Sequence, residues 1–298
     1  APLRSTGTAA MWIVLALCTA LLTSLIPIIV KRLLATTEVP VVIWAAQVLA
    51  LPLLAAFAFG VFGVPALAPG FVPIVGLVVL LNVGAHLAST TALKTAEASV
   101  VAPMLALSPA ITLTIGAALF RERPAPAGVL GVLLMIGGAY LLQLETWQGW
   151  RRPFQAARRE RGARLALLAA ALWGLTPLLE QQAIRQTLPA NPGVVPLVTT
   201  LGVSLLLFPW VIRSPARLAA QLQRAGPGLL LVGLISGVAP VLGFSALQLG
   251  LAGYVTALFT LRIAFILGWS ILLLDERPHR WRWIGVALLG LGALAISW

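Results

Sequence analysis

Two ionisable side chains interrupt stretches that are otherwise apolar. Glu180 lies about two-thirds of the way along 164–186, three residues past Pro177, and Arg262 lies about ten residues into 253–274. Holding such a group in hydrocarbon costs about 2.5 to 3.5 kcal/mol even on the lenient scale, so each asks for a purpose. One reading is a cavity that holds complementary substrate charges, with Glu180 able to titrate. The competing reading is a buried Glu180–Arg262 ion pair that specifies packing. Asn82 and His86 are four residues apart and therefore share one helical face. His86 is suited either to carrying a proton near neutral pH or to hydrogen-bonding a neighbouring helix. Trp173 and Trp44 are candidates to stack on a substrate, against the commoner use of tryptophan as an interfacial anchor.

These residues must be positioned by membrane helices. Hydrophobic residues make up 60% of the 298 positions and charged residues 9%, with a mean hydropathy of +1.01. No soluble fold of this length has the interior to hide so much apolar surface. The net charge of +12 comes from basic residues clustered at the ends of apolar runs, the pattern of topology signals rather than of nucleic-acid binding. The single cysteine, Cys18, leaves no disulfide framework and no cysteine metal cluster. The first apolar run exceeds a signal-peptide core and lacks an Ala-x-Ala site, so it reads as a retained span. Spans are expected near 11–34, 40–62, 70–92, 98–120, 126–144, 164–186, 194–212, 226–248, 253–274 and 281–298. Each is long enough to cross about 30 Å of hydrocarbon. They must be helices, because unpaired backbone groups in lipid cost several kcal/mol each.

A basic segment divides the chain into 1–145, a linker at 146–163 and 164–298. Sliding the sequence by 154 residues aligns 92–142 with 246–296 without a gap, and 16 of the 51 columns are identical. Chance would give about five in so Leu- and Ala-rich a chain. Glu122-Arg123-Pro124 falls on Glu276-Arg277-Pro278, Gly131 on Gly285, and Gly138 on Gly292. The same offset sets Ser108 on Arg262, and Asn82 and His86 on Ser236 and Pro240. Near the front of each half, Leu25-Ile26-Pro27 resembles Leu175-Thr176-Pro177. The matched prolines Pro27 and Pro177 are expected hinges. The glycines are read as close-packing positions, and Glu122 and Glu276 as determinants of the membrane boundary, with gating as the rival use. Five spans is an odd number, so the second half enters the membrane from the opposite side. The fold expected is an all-α polytopic membrane protein of ten helices in two inverted five-helix repeats.

The block from Ala92-Leu93-Lys94 through Ser99-Val100-Val101-Ala102-Pro103, then Leu107-Ser108-Pro109 and Arg121-Glu122-Arg123-Pro124, resembles EamA-type proteins of the drug/metabolite transporter superfamily. Leu273-Leu274-Asp275-Glu276-Arg277-Pro278 repeats the pattern. The resemblance implies a ten-helix transporter with a central cavity, driven by an ion gradient rather than ATP. It implies no enzyme activity, and no Walker-type phosphate loop is present. Arg262 and Glu180 put charge where many members have none. The function expected is secondary transport of small amino-acid-like or amphipathic solutes by alternating access, with a lipid flippase or another membrane protein of this fold as the alternative. Glu180, Arg262, Asn82, His86, Ser108 and Trp173 are the candidate substrate-binding residues, and Glu180 and His86 the coupling candidates. No catalytic residue, metal or cofactor is expected. The partners expected are a small-molecule substrate and the lipid bilayer, with no nucleic acid, in a monomer or homodimer of the bacterial cytoplasmic membrane. Orientation is pulled two ways: the resemblance implies cytoplasmic termini, whereas Lys and Arg divide fifteen to four in favour of external ones.

Overall fold

The computed structural model describes residues 6–33, 36–96, 98–143, 159–213, 215–274 and 279–297. Helix accounts for nearly all of it, as a chain that must satisfy its backbone within lipid requires. In chain order the helices are α1 (Thr6–Ser24), α2 (Ile26–Leu33), α3 (Val39–Ala55), α4 (Phe71–Thr95), α5 (Ala98–Leu105), α6 (Ser108–Leu119) and α7 (Pro126–Gln143). There follow α8 (Arg161–Arg185), α9 (Val194–Val211), α10 (Pro215–Leu249), α11 (Ala252–Phe259), α12 (Arg262–Leu274) and α13 (Arg280–Ser297). A π-helical stretch, Ala56–Val61, prolongs α3. Among the described residues, seven helical stretches are long and apolar enough to cross a membrane. They are Met11–Val30, Val39–Val61, Phe71–Ser89, Arg161–Arg185, Val194–Val211, Pro215–Leu249 and Ala252–Leu272. Pro103–Leu119 and Pro126–Leu142 are apolar but shorter. The second Glu-Arg-Pro turn and most of the basic linker lie outside the described residues.

Three expected spans are broken. The first gives way at Leu25, the fourth at Ala106-Leu107 and the ninth at Thr260-Leu261. The last two breaks are equivalent under the 154-residue offset. In the fourth span Pro109 follows the break and Pro103 precedes it, so prolines remove ladder donors on both sides. The ninth span has no proline there. It turns through tighter bonds instead, Thr260 N–H to Ala257 O at 2.9 Å and Leu261 N–H to Leu258 O at 3.0 Å. The Thr260 hydroxyl also donates to Ala257 O at 2.6 Å. Pro177, by contrast, sits inside an unbroken α8.

The chain forms two compact units that do not coincide with the sequence halves. The first contains residues 1–20, 81–178 and 249–298, and the second 21–80 and 179–248. In the first, α7 and α13 run antiparallel, seamed by glycines. A methyl group at Gly131 would lie 2.7 Å from the Gly292 carbonyl oxygen, and one at Gly138 2.6 Å from that of Gly285. Nothing larger than hydrogen lets the two backbones approach so closely. Near α7, the Glu122 carboxylate accepts a bond from the Ala252 N–H at 3.3 Å, and Tyr254 Oη donates to Ala125 O at 3.3 Å. The acidic residue thus stands at the positive end of α11.

In the second unit, α3 and α10 pack around Leu33, Val42, Ala45, Ala46, Ala225, Leu229 and Val232. Trp44 packs against this cluster, with its ring 6.1 Å from that of Phe208. Ala66-Leu67 (β1) pairs antiparallel with Thr187-Leu188 (β2), the register matching Ala66 to Leu188. Beside the pair, fully buried Asn191 donates to Ala58 O and Gly63 O at 2.8 and 2.9 Å. Its Oδ1 accepts from the N–H groups of Gly193 and Val194, which starts α9.

Candidate functional site

Most of the predicted binding residues fall in the first unit. Asn82 and His86 lie on α4 and are half-buried. Trp173, on α8, meets His86 edge-to-face, with ring centroids 5.5 Å apart and planes at 84°. This is the favoured arrangement of two aromatic rings, a positive edge on a negative face. The two residues are 87 positions apart, and nothing in the sequence paired them.

Ser108 belongs to the same neighbourhood through its backbone. Residue 174, next to Trp173, must be glycine: a methyl group there would lie 2.7 Å from Ile111 Cγ2 and 3.1 Å from the Ser108 carbonyl oxygen. The fully buried Thr112 hydroxyl donates to Gly174 O at 2.8 Å, pinning α8 against the first turns of α6. Thr112 and Gly174 are positioning residues that the sequence did not single out. A buried threonine one turn after a break is the signal that was available.

Arg262 stands on the other break. It is the first residue of α12, and it is exposed. The middle of α6 meets the first turn of α11, where a methyl group at Gly253 would lie 2.7 Å from Leu113 Cδ1. Gly253 precedes the break residue Thr260 by seven positions, and Leu113 follows the break residue Ala106 by seven. For antiparallel neighbours at 1.5 Å per residue, that brings the two breaks to about the same level. Each break begins a new helix, whose N-terminal end is the positive end of its dipole and suits an anionic group. Arg262 adds a full charge to one of these ends.

Glu180 and Pro27 belong to the second unit. Glu180 is half-buried on α8, next to Gln181, whose Nε2 donates to Leu247 O at 2.6 Å. Pro27 is exposed in the first turn of α2, immediately after the break at Leu25. Pro177 is buried where α8 passes from one unit to the other. Ser236 and Pro240 are half-buried on α10.

The model of the EamA-like transporter family matches this chain twice, over residues 10–144 and again over 160–298. The chain belongs to the EamA-like transporter family. It is an integral membrane protein and a membrane transporter. A curated Sinorhizobium sp. protein, described as an uncharacterized transporter in the cobO 3' region, is 28% identical over 160 residues. That match spans 51% of this chain and 97% of the relative. The crystal structure of another protein shares the fold with a TM-score of 0.73 at 17% identity. The match covers 96% of this chain and 98% of that one. The two family matches stop on either side of residues 145–159, and in each the break in the fourth helix of the half recurs.

Proposed function

We propose that this EamA-family transporter uses an ion gradient to move small carboxylate-bearing solutes, amino-acid-like or otherwise amphipathic, across the bacterial cytoplasmic membrane. It does so by alternating access of two inverted five-helix halves. The observation that carries the substrate class is Arg262, an exposed guanidinium on the first residue of α12, at a break matched by the one before Ser108. A guanidinium offers a fork of N–H donors to a carboxylate, and the helix end behind it adds a dipole of the same sign. Trp173 and His86 supply aromatic rings for the apolar part of a solute, and Asn82 and Ser108 supply hydrogen-bonding groups. Glu180 is the proton carrier for coupling. The ten-helix inverted arrangement is supported by the antiparallel α7–α13 seam and by the register shared by the two breaks. Broken helices at pseudo-equivalent positions are what transporters of inverted topology use to hold a solute.

The reading is tested by uptake into proteoliposomes of the purified chain, with labelled amino acids, amines, organic acids and a fluorescent phospholipid. Carboxylate-bearing solutes should accumulate only when a proton or sodium gradient is imposed. Uptake of amines alone, or lipid scrambling without solute uptake, would point to the amine class or to a flippase. Glu180→Gln should flatten the pH dependence of uptake. An unchanged profile would remove Glu180 from coupling.

A further inference from the structure

A pocket of 380 Å³ opens in the second unit where α9 ends and α10 begins, beside the first turn of α3. Its chemistry comes from Arg213, Arg217, Glu38, Gln221 and Trp210. None of these belongs to the candidate solute site. Gln221 fixes the acidic side: its Oε1 accepts from the Glu38 N–H at 2.9 Å, and its Nε2 donates to Glu38 Oε1 at 3.4 Å. Glu38 is held by one oxygen and keeps the other. Opposite in charge are two exposed arginines, Arg213 just before α10 and Arg217 in its first turn. Among the described residues neither arginine has a hydrogen-bond or ion-pair partner. Two cations beside the positive end of a helix repel one another and the helix dipole, and an anion relieves both.

The surroundings are those of a membrane–water boundary. Trp210 ends an apolar span and is 45% exposed, as interfacial tryptophans are. Val211 and Leu218 give the pocket an apolar wall. The helix α10 has 35 residues, far more than a crossing needs. Its first turns turn Leu218, Leu222 and Ala225 inward and leave Arg217 and Arg224 exposed. This is the habit of an amphipathic segment lying in the headgroup layer.

We propose that the pocket binds a phosphate that carries a primary ammonium, the headgroup chemistry of phosphatidylethanolamine. Arg213 and Arg217 take the phosphate, since guanidinium forks fit its oxygens. Glu38 takes the ammonium, which donates to its open oxygen. The carboxylate separates this site from a basic pocket for polyanionic lipids, because Glu38 would repel a second negative group. A phosphocholine headgroup has no N–H to give Glu38, so it fits less well.

The purified chain is incubated in detergent with equal amounts of phosphatidylethanolamine, phosphatidylcholine and phosphatidylglycerol of distinct mass, and retained lipid is read by native mass spectrometry. The wild type should retain phosphatidylethanolamine over each competitor by about fivefold, the scale of one exposed ion pair. Glu38→Gln should raise phosphatidylglycerol to parity or above, a change of preference that misfolding cannot mimic. Arg213→Gln with Arg217→Gln should lower retention of all three. Soluble O-phosphoethanolamine that displaces the lipid at equal concentration would identify a free ligand of the same chemistry, and failure to displace would identify the bilayer lipid. Equal retention of the three lipids by the wild type overturns the proposal, as does a Glu38→Gln variant with an unchanged preference.

Discussion

The fourth and ninth spans are the same object built twice with different chemistry. Both break at positions related by the 154-residue offset, and both resume as a helix of a dozen residues, α6 from Ser108 and α12 from Arg262. In the fourth span the break is flanked by Pro103 and Pro109, whereas the ninth has Ala257 and Ile263 at those places. The ninth turns through the Thr260 hydroxyl and three tightened backbone bonds, the third from Ile263 N–H to Thr260 O at 3.0 Å. Proline therefore does not explain the break, since the geometry survives its loss. What the pair retains is a helix end; what it exchanges is the side chain on that end, a neutral hydroxyl in one half and a guanidinium in the other. The scaffold is shared between the halves and the side chain on the helix end is not.

Attacking what the halves share should cost most. Gly131→Ala with Gly138→Ala drives two methyl groups against the carbonyl oxygens of Gly292 and Gly285, at 2.7 and 2.6 Å, and backbone cannot rotate away. Each substitution should lower stability by about 1 to 3 kcal/mol, as overpacking does. Thermal unfolding in detergent reads the loss, and an unchanged midpoint would mean the helices part easily. Attacking what the halves do not share should leave the fold and remove the function. Arg262→Ser makes the ninth break resemble the fourth and should reduce kcat/KM for carboxylate solutes about 30-fold, the weight of one charged hydrogen bond of about 2 kcal/mol. Adding Ser108→Arg should not restore uptake. Restoration would show that the two breaks are interchangeable. Thr260→Val removes the hydroxyl that closes the ninth break and should cost about 1 kcal/mol in the same unfolding measurement. Pro109→Ala should cost less than about 1 kcal/mol, because the ninth span shows the break standing without proline.

The placement of helices was legible in the sequence because lipid enforces it: an apolar run of the right length has one way to satisfy its backbone. Nine of the expected starts lie within a few residues of helical starts in the structure. The exception is the eighth span, which begins at Pro215 rather than near 226. Arg217, Gln221 and Arg224 gave that stretch the polarity of a loop, while its inward stripe of Leu218, Leu222 and Ala225 spans too few turns to register as a period. The break at Thr260 was illegible for a different reason. It rests on one hydroxyl and three short backbone bonds, and no residue type there forbids a continuous helix. Arg262 was visible as a charge in an apolar run, but its position on a helix end was not. Nor was the meeting of His86 with Trp173, which joins α4 to α8 across 87 positions. Glu122 was read as a boundary residue, and its bond to the Ala252 N–H gives that boundary a physical function.

The glycine seam has a consequence for how such a chain could arise. Exchanging the halves carries Gly131 to Gly285 and Gly292 to Gly138, so the contact between Gly131 and Gly292 becomes the contact between Gly285 and Gly138. The seam maps onto itself. Nothing in it requires two different genes' worth of surface: a single ancestral half, inserted in the bilayer both ways up, would have closed it against its own copy. With the copies joined end to end, each half would be free to diverge from the other. After that step, an arginine could enter one break without appearing in the other.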